Sequence, residues 1–350
     1  MRPFPVPTRT GWAVCFVVAL LDAILIFARD FTVLADGTLL RNIALLALLA
    51  AFSAYYARQP NTQRLAVLTS GILYVAAYSI AIVLASYLTA AMNMPLLDAT
   101  FARADAVLGF DWTAWLAWVN AHPLIGTALA YAYETSMPQV VVAIVLLSLM
   151  KRDAALSEYL NLFWMTTVAT IILAALLPAA GAYDFLKPAP QLYSNLSPEG
   201  GIAHVHQFFG LRDGSLRAIN LVELNGLVSF PSFHTALAII TAWAFWTIPW
   251  LRFPAISLNA VVILSTPTQG GHYLVDVIGG GVLALFFILL CRPSVRHALA
   301  GFLSPRRRFS TVDACNGAES YDGQSIRNRS RQESGEPSAA DAAVVSEARG

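Results

Sequence analysis

The chain has 350 residues, 57% hydrophobic and 12% charged, with a formal net charge of +1. A soluble globular domain carries about twice that charged fraction, so composition excludes an ordinary soluble protein. No basic block interleaves with aromatic residues, which removes nucleic acid as an expected partner. The three cysteines, Cys15, Cys291 and Cys315, are scattered and give neither a disulfide framework nor metal-ligand spacing.

A spanning helix needs about 20 predominantly apolar residues. In chain order, such runs lie near 11–28, 39–57, 65–91, 124–150, 157–179, 231–249 and 272–291. An eighth run, 252–267, is shorter and interrupted by Pro254. The pattern predicts an all-α, polytopic transmembrane bundle of about eight spans. The first run follows Arg2 and Arg9 but contains Asp22 and precedes no small-residue cleavage site, so it reads as a retained anchor helix. Residues 92–123 combine spaced apolar side chains, acidic residues, Trp112, Trp115 and Trp118, a mix suited to a helix lying at the bilayer interface. Residues 180–230 are rich in Gly, Pro, Asn and charge, and 304–350 lack hydrophobic periodicity. The latter read as a solvated, disordered tail.

Short cytoplasmic loops are enriched in Lys and Arg. With both termini inside, the cytoplasmic side receives Arg2, Arg9, Arg58, Arg64, Lys151, Arg152, Arg252, Arg292, Arg296 and Arg306–Arg308. The opposite side holds Arg29, Arg41, Arg103, Lys187, Arg212 and Arg217, spread over longer segments. This bias orients the chain with both termini cytoplasmic.

Two of the six histidines have unusual settings. His234 closes Pro231-Ser232-Phe233-His234 at the start of one span, and His272 lies in Gly270-Gly271-His272-Tyr273-Leu274-Val275-Asp276 at the start of the last. Two intervening helices bring both to the same, extracytoplasmic surface, which makes the short 252–267 helix necessary. The i,i+4 spacing of His272 and Asp276 suits one helical face, where a carboxylate sets the imidazole tautomer. An intramembrane acid such as Asp276 is a functional-site candidate by default. Both helix starts are expected to aim free N–H groups at one place, a site for phosphate, with Gly270-Gly271 allowing close backbone approach. His204-x-His206 lacks acidic or cysteine partners for a metal. Asp22 and Glu134 read as packing or hydrogen-bonding groups within the bundle, and Gly279-Gly280-Gly281 as a close helix contact.

These residues resemble the type 2 phosphatidic acid phosphatase superfamily. Its second motif, Pro-Ser-Gly-His, is matched by Pro231-Ser232-Phe233-His234, with Phe233 in place of glycine. Its third, Ser-Arg-x5-His-x3-Asp, is matched from Ser265 through His272 to Asp276, with Thr266 in place of arginine. The first motif, Lys-x6-Arg-Pro, has no match upstream. These departures resemble the inositol phosphorylceramide synthase-like branch, and the resemblance covers about 200–291. It implies metal-independent phospho-group transfer with no cofactor, from a lipid phosphate or phospholipid substrate. His272 would be the nucleophile, Asp276 its orienting acid and His234 the general acid–base, with Ser232 and Gly271 binding substrate; in place of the missing motif arginines, Arg212 and Arg217 are the local substitutes, being on the outer side near the second motif. Lys187 is a further cation for that role. The chain then divides into N-terminal spans (1–180, including 92–123), a catalytic loop with the last three spans (181–303) and the tail (304–350). The alternatives are a membrane transporter using buried carboxylates, or a family member that binds lipid without turnover.

Overall fold

Inside a bilayer the backbone finds no water, so apolar runs close their hydrogen bonds within helices. The structure, a computed structural model, describes residues 7–292 apart from 197, 222 and 223. The expected tail and the charges at Arg2, Arg296 and Arg306–Arg308 lie outside the described residues. The first three helices are long: α1 Arg9–Ala28, α2 Gly37–Arg58 and α3 Gln63–Ala90. Two short helices follow, α4 Asp98–Val107 and α5 Trp112–Asn120, and then α6 Pro123–Glu134, α7 Ser136–Leu149 and α8 Asp153–Leu176. The last part holds α9 Ala182–Leu186, α10 Glu199–Asp213, α11 Phe233–Phe245, α12 Arg252–Gln269 and α13 Leu274–Cys291. The only strands among the described residues, β1 Thr32–Val33 and β2 Ala218–Ile219, pair in parallel. The protein is an all-α membrane bundle.

The eight hydropathy runs separate into three kinds of element. Five helices (α1, α2, α3, α8 and α13) are long and apolar enough to cross a membrane, and α6 with α7, bent by 49°, is so only as a pair. The remaining two fall short. Helix α11 has 13 residues, and the 18 residues of α12 include Arg252, Asn259, Ser265, Thr266, Thr268 and Gln269. Both are sheltered by neighbours: eight residues of α11, and the end of α12 from Ser265 to Gln269, are buried. Burial in protein removes the requirement for an apolar surface that hydropathy alone assumes.

The expected interfacial segment is two helices. Gly109, at φ 75°, lies between α4 and α5, and Asp111 caps α5 by accepting from Ala114 N at 2.9 Å. The loop over 180–230 is also more ordered than its composition suggests, since it contains α9, a 3-10 turn at Pro190–Tyr193, α10 and β2.

The central core joins α3, α7, α8, α11 and α13 through Tyr74, Ile144, Leu162, Leu237 and Ala284. Polar side chains tie these helices together and join α12 to α7, as expected where lipid offers no driving force for helix association. Tyr78 and Thr167 hydroxyls meet at 2.6 Å, those of Tyr159 and Thr241 at 3.1 Å, and Asn259 donates to Gln139 at 2.8 Å. Helices α11 and α13 approach through Gly280, where an added Cβ would collide with the Ser232 carbonyl. That contact sets the starts of the two helices side by side.

Candidate active site

His234 sits in the first turn of α11, and His272 in the four-residue link between α12 and α13. Ser232 N donates to Asp276 O at 2.9 Å, which fixes the start of α11 against the start of α13. Gly270 measures the convergence of the two histidines. A methyl group there would stand 2.8 Å from His272 Cδ2 and 3.0 Å from the Tyr133 hydroxyl. Tyr133 in turn stacks on His234 with ring centroids 4.4 Å apart, its hydroxyl 3.3 Å from His234 Nδ1. The two imidazoles thus flank one small space.

The link is held on several sides. Gly271 adopts φ 67°, a region closed to most side chains. Its carbonyl accepts from Ala182 N at 2.8 Å, and that of His272 accepts from Trp112 Nε1 at 3.2 Å. Tyr183 donates to Thr268 O at 2.7 Å. On the remaining side, α10 presents glycines: an added Cβ at Gly201 would lie 3.0 Å from Gly271 N.

Asp276 is fully buried and His272 is 3% exposed. Asp276 Oδ2 stands 3.4 Å from His272 Nδ1, within charge-pairing range but not aligned as a hydrogen bond, so Nδ1 has no acceptor. The same oxygen accepts from Ser229 Oγ and from Tyr273 N, each at 2.9 Å. His272 itself precedes α13, so the pair does not arise from one helical face. Asp276, in the first helical turn, reaches back to the capping residue Tyr273 and thereby toward His272.

At α13 the expected free N–H groups are taken up by carboxylates, and at α11 a hydroxyl takes one of them. Asp105 on α4 accepts from Leu274 N at 2.8 Å and Val275 N at 2.9 Å. Ser232 Oγ accepts from Thr235 N at 3.4 Å, capping α11. Asp98, also on α4, accepts from Ala180 N, Gly181 N and the Tyr273 hydroxyl, each at 3.0 Å. Sequence reasoning missed these two acids because they lie far from the histidines in sequence and in an interfacial segment with no motif. Burial, its largest influence, pushes the Asp105 carboxyl up; the two N–H bonds pull it down and Asp276 adds repulsion.

The remaining expected residues divide. Ser232 and Gly271 lie at the histidine pair as described. Arg212, near the end of α10, donates from Nη2 to Met94 O at 2.6 Å, lies over Phe208 and feels the charge of Asp98. Its Nη1 is buried without a partner. Arg217 donates to the carbonyls of Gly214 and Arg29, and no described contact joins it to the histidines. His204 turns inward on α10, its Nδ1 3.0 Å from Gly200 O, within electrostatic reach of His272. His206 points outward and is exposed, so the two do not form a pair. Among the described residues no three His, Cys, Asp or Glu side chains gather as metal ligands.

Residues 99–290 match the family model described as PAP2 superfamily. The chain belongs to the PAP2 superfamily. The matched segment runs from α4 to α13 and so takes in both histidines, Asp276, Tyr133 and Asp105. It also reaches about a hundred residues upstream of the stretch that the motifs alone marked. PAP2 superfamily members are phosphatases or phosphotransferases, and membership supports a phosphatase-type activity on lipid phosphates. No curated protein and no solved structure matches the chain.

Proposed function

We propose that the protein is an integral membrane phosphatase or phosphotransferase acting on lipid phosphates or phospholipid headgroups through a phosphohistidine on His272, without a metal. The observation that carries this reading is the convergence of His272, backed by buried Asp276, with His234, backed by Tyr133. Asp276 faces Nδ1, so Nε2 of His272 is the attacking nitrogen. The N–P bond forms as the P–O bond to the leaving alcohol breaks, and His234 Nε2 supplies the proton that alcohol needs. In the second half an acceptor hydroxyl gives its proton to His234 and attacks phosphorus. The N–P bond then breaks and its electron pair returns to His272. The Tyr133 hydroxyl both donates and accepts, so it pairs with His234 Nδ1 in either charge state.

Phe233, Thr266 and the Gly270-Gly271-His272-Tyr273 run support the inositol phosphorylceramide synthase-like branch, with an alcohol such as inositol as acceptor beside water. The loop distribution of Lys and Arg supports an extracytoplasmic site with both termini in the cytoplasm. Arg212, with its unpartnered Nη1, is the proposed cation. The test is release of phosphate or headgroup from a panel of lipid phosphates and phospholipids by purified protein in detergent, with EDTA and with or without inositol. Metal-independent turnover that His272→Ala abolishes is the expected result. Turnover by His272→Ala at the parent rate on every substrate would remove His272 as the nucleophile.

A further inference from the structure

Nine buried side-chain polar atoms among the described residues have no hydrogen-bond partner, and three of them, Gln269 Nε2, His272 Nδ1 and Asp276 Oδ1, fall between residues 269 and 276. An unsatisfied buried donor is costly and is rare in folded proteins. The clustering therefore needs a cause. His272 and Asp276 belong to the proposed chemistry, but Gln269 has no role there.

Gln269 is the last residue of α12 and is 4% exposed. Its backbone carbonyl abuts α10, 2.9 Å from where a Cβ on Gly200 would lie. The next residue, Gly270, lies against both His272 and the Tyr133 hydroxyl. Three residues earlier is Thr266, which stands where the superfamily motif has arginine. The Thr266 hydroxyl donates to Ile263 O at 2.8 Å and is spent within its own helix. Residues three apart on a helix share a face, so Gln269 lies one turn nearer His272 than the missing arginine.

Phosphoryl transfer spreads negative charge over three equatorial oxygens, and fixed donors aimed at them supply much of the catalysis. The start of α13 does not provide such donors, because Asp105 already holds its Leu274 and Val275 N–H groups, and at the start of α11 Ser232 takes the N–H of Thr235. Resting on the functional reading above, we infer that Gln269 binds the transferred phosphoryl group, its carboxamide N–H donating to a non-bridging oxygen where other superfamily members place arginine. A neutral amide also suits a link surrounded by carboxylates, where a guanidinium would be drawn to Asp98 or Asp276.

The experiment uses the full chain in detergent, with orthovanadate as a phosphoryl mimic and a turned-over lipid phosphate as substrate. Gln269→Leu keeps the volume and removes the donor. It is expected to weaken vanadate inhibition and lower kcat/KM by about tenfold or more, with an unchanged or raised unfolding midpoint. Gln269→Glu, which sets a charge against the phosphoryl oxygens, is expected to lose more. Gln269→Met serves as a second isostere should the leucine variant fold poorly. Isosteres that retain vanadate affinity and kcat/KM within about twofold, beside a parent that is vanadate-sensitive and dependent on His272, would overturn the Gln269 assignment alone. A parent indifferent to vanadate would overturn the functional reading together with it.

Discussion

Asp105 gives a demanding test of how the site is held, because its carboxylate reaches from α4 to the first turn of α13. Its two oxygens each accept one backbone N–H, from Leu274 and Val275, two and three residues beyond His272. Asp105 is 2% exposed, so Asp105→Ala leaves both donors unpaired and shielded from water. Each such donor costs about 1–3 kcal/mol, and losing an anion at the N-terminus of α13 costs about 0.3–1 kcal/mol more. The expected loss for the alanine variant is about 2–7 kcal/mol. Asp105→Asn keeps one acceptor and removes the charge. Burial raises the Asp105 carboxyl above its ordinary value of 3.8, so the folded protein holds this proton more tightly than the unfolded chain. Stability from this group therefore falls as pH rises through and above the ordinary carboxylate range. Asparagine escapes that penalty, and its net cost should be only about 1 kcal/mol. Thermal unfolding in detergent reads the stability of parent and both variants. Turnover measured well below each midpoint reads the site: a loosened His272 link lowers kcat about tenfold with KM within about twofold. An alanine variant that unfolds with the parent and turns over at the parent rate would refute the reasoning.

Gly280→Ala should lower both the unfolding midpoint and turnover, because its methyl group meets the Ser232 carbonyl, which is backbone and cannot rotate away. Gly281→Ala, whose nearest neighbour is Ile239 Cδ1 at 3.7 Å, is the tolerated control in the same melting experiment. Burial holds the His204 imidazole below its ordinary 6.5, so the unfolded chain binds that proton more tightly. Stability is then lost as pH falls below 6.5 toward the depressed folded value. His204→Gln should flatten the midpoint-versus-pH curve in that window; an unchanged slope would place the titration elsewhere.

Most of the architecture was legible because the bilayer forces one solution on an apolar run. α1, α2, α3, α8 and α13 follow the hydropathy closely. The weaker elements were harder for a shared physical reason. Helix α11 and the end of α12 are buried against protein, so their length and polarity no longer obey the rule that identifies a span. The broken α6–α7 pair reads as one run because a bend leaves hydropathy untouched. At the site, His234, His272 and Asp276 were visible as local motifs. Tyr133 lies 101 residues before His234 and looked like one aromatic among many. Asp98 and Asp105 were hidden similarly, since a carboxylate that binds backbone N–H groups needs no particular residue type at its partner.

Those hidden acids also change how charge is balanced around the histidines. Three carboxylates, Asp98, Asp105 and Asp276, converge on Tyr273, an arrangement that by sign alone opposes an anionic substrate. Each is instead turned onto donors of the fold: Asp98 onto Ala180, Gly181 and Tyr273, Asp105 onto α13, and Asp276 onto Ser229 and Tyr273. Their charge is met by backbone N–H dipoles and hydroxyls, so what they supply is position. On the proposed reading, the phosphoryl group meets the side bearing Gly270, His272 and His234. On that reading the carboxylates hold the link from behind, and with the motif arginines missing, neutral and imidazole donors join Arg212 in meeting the substrate.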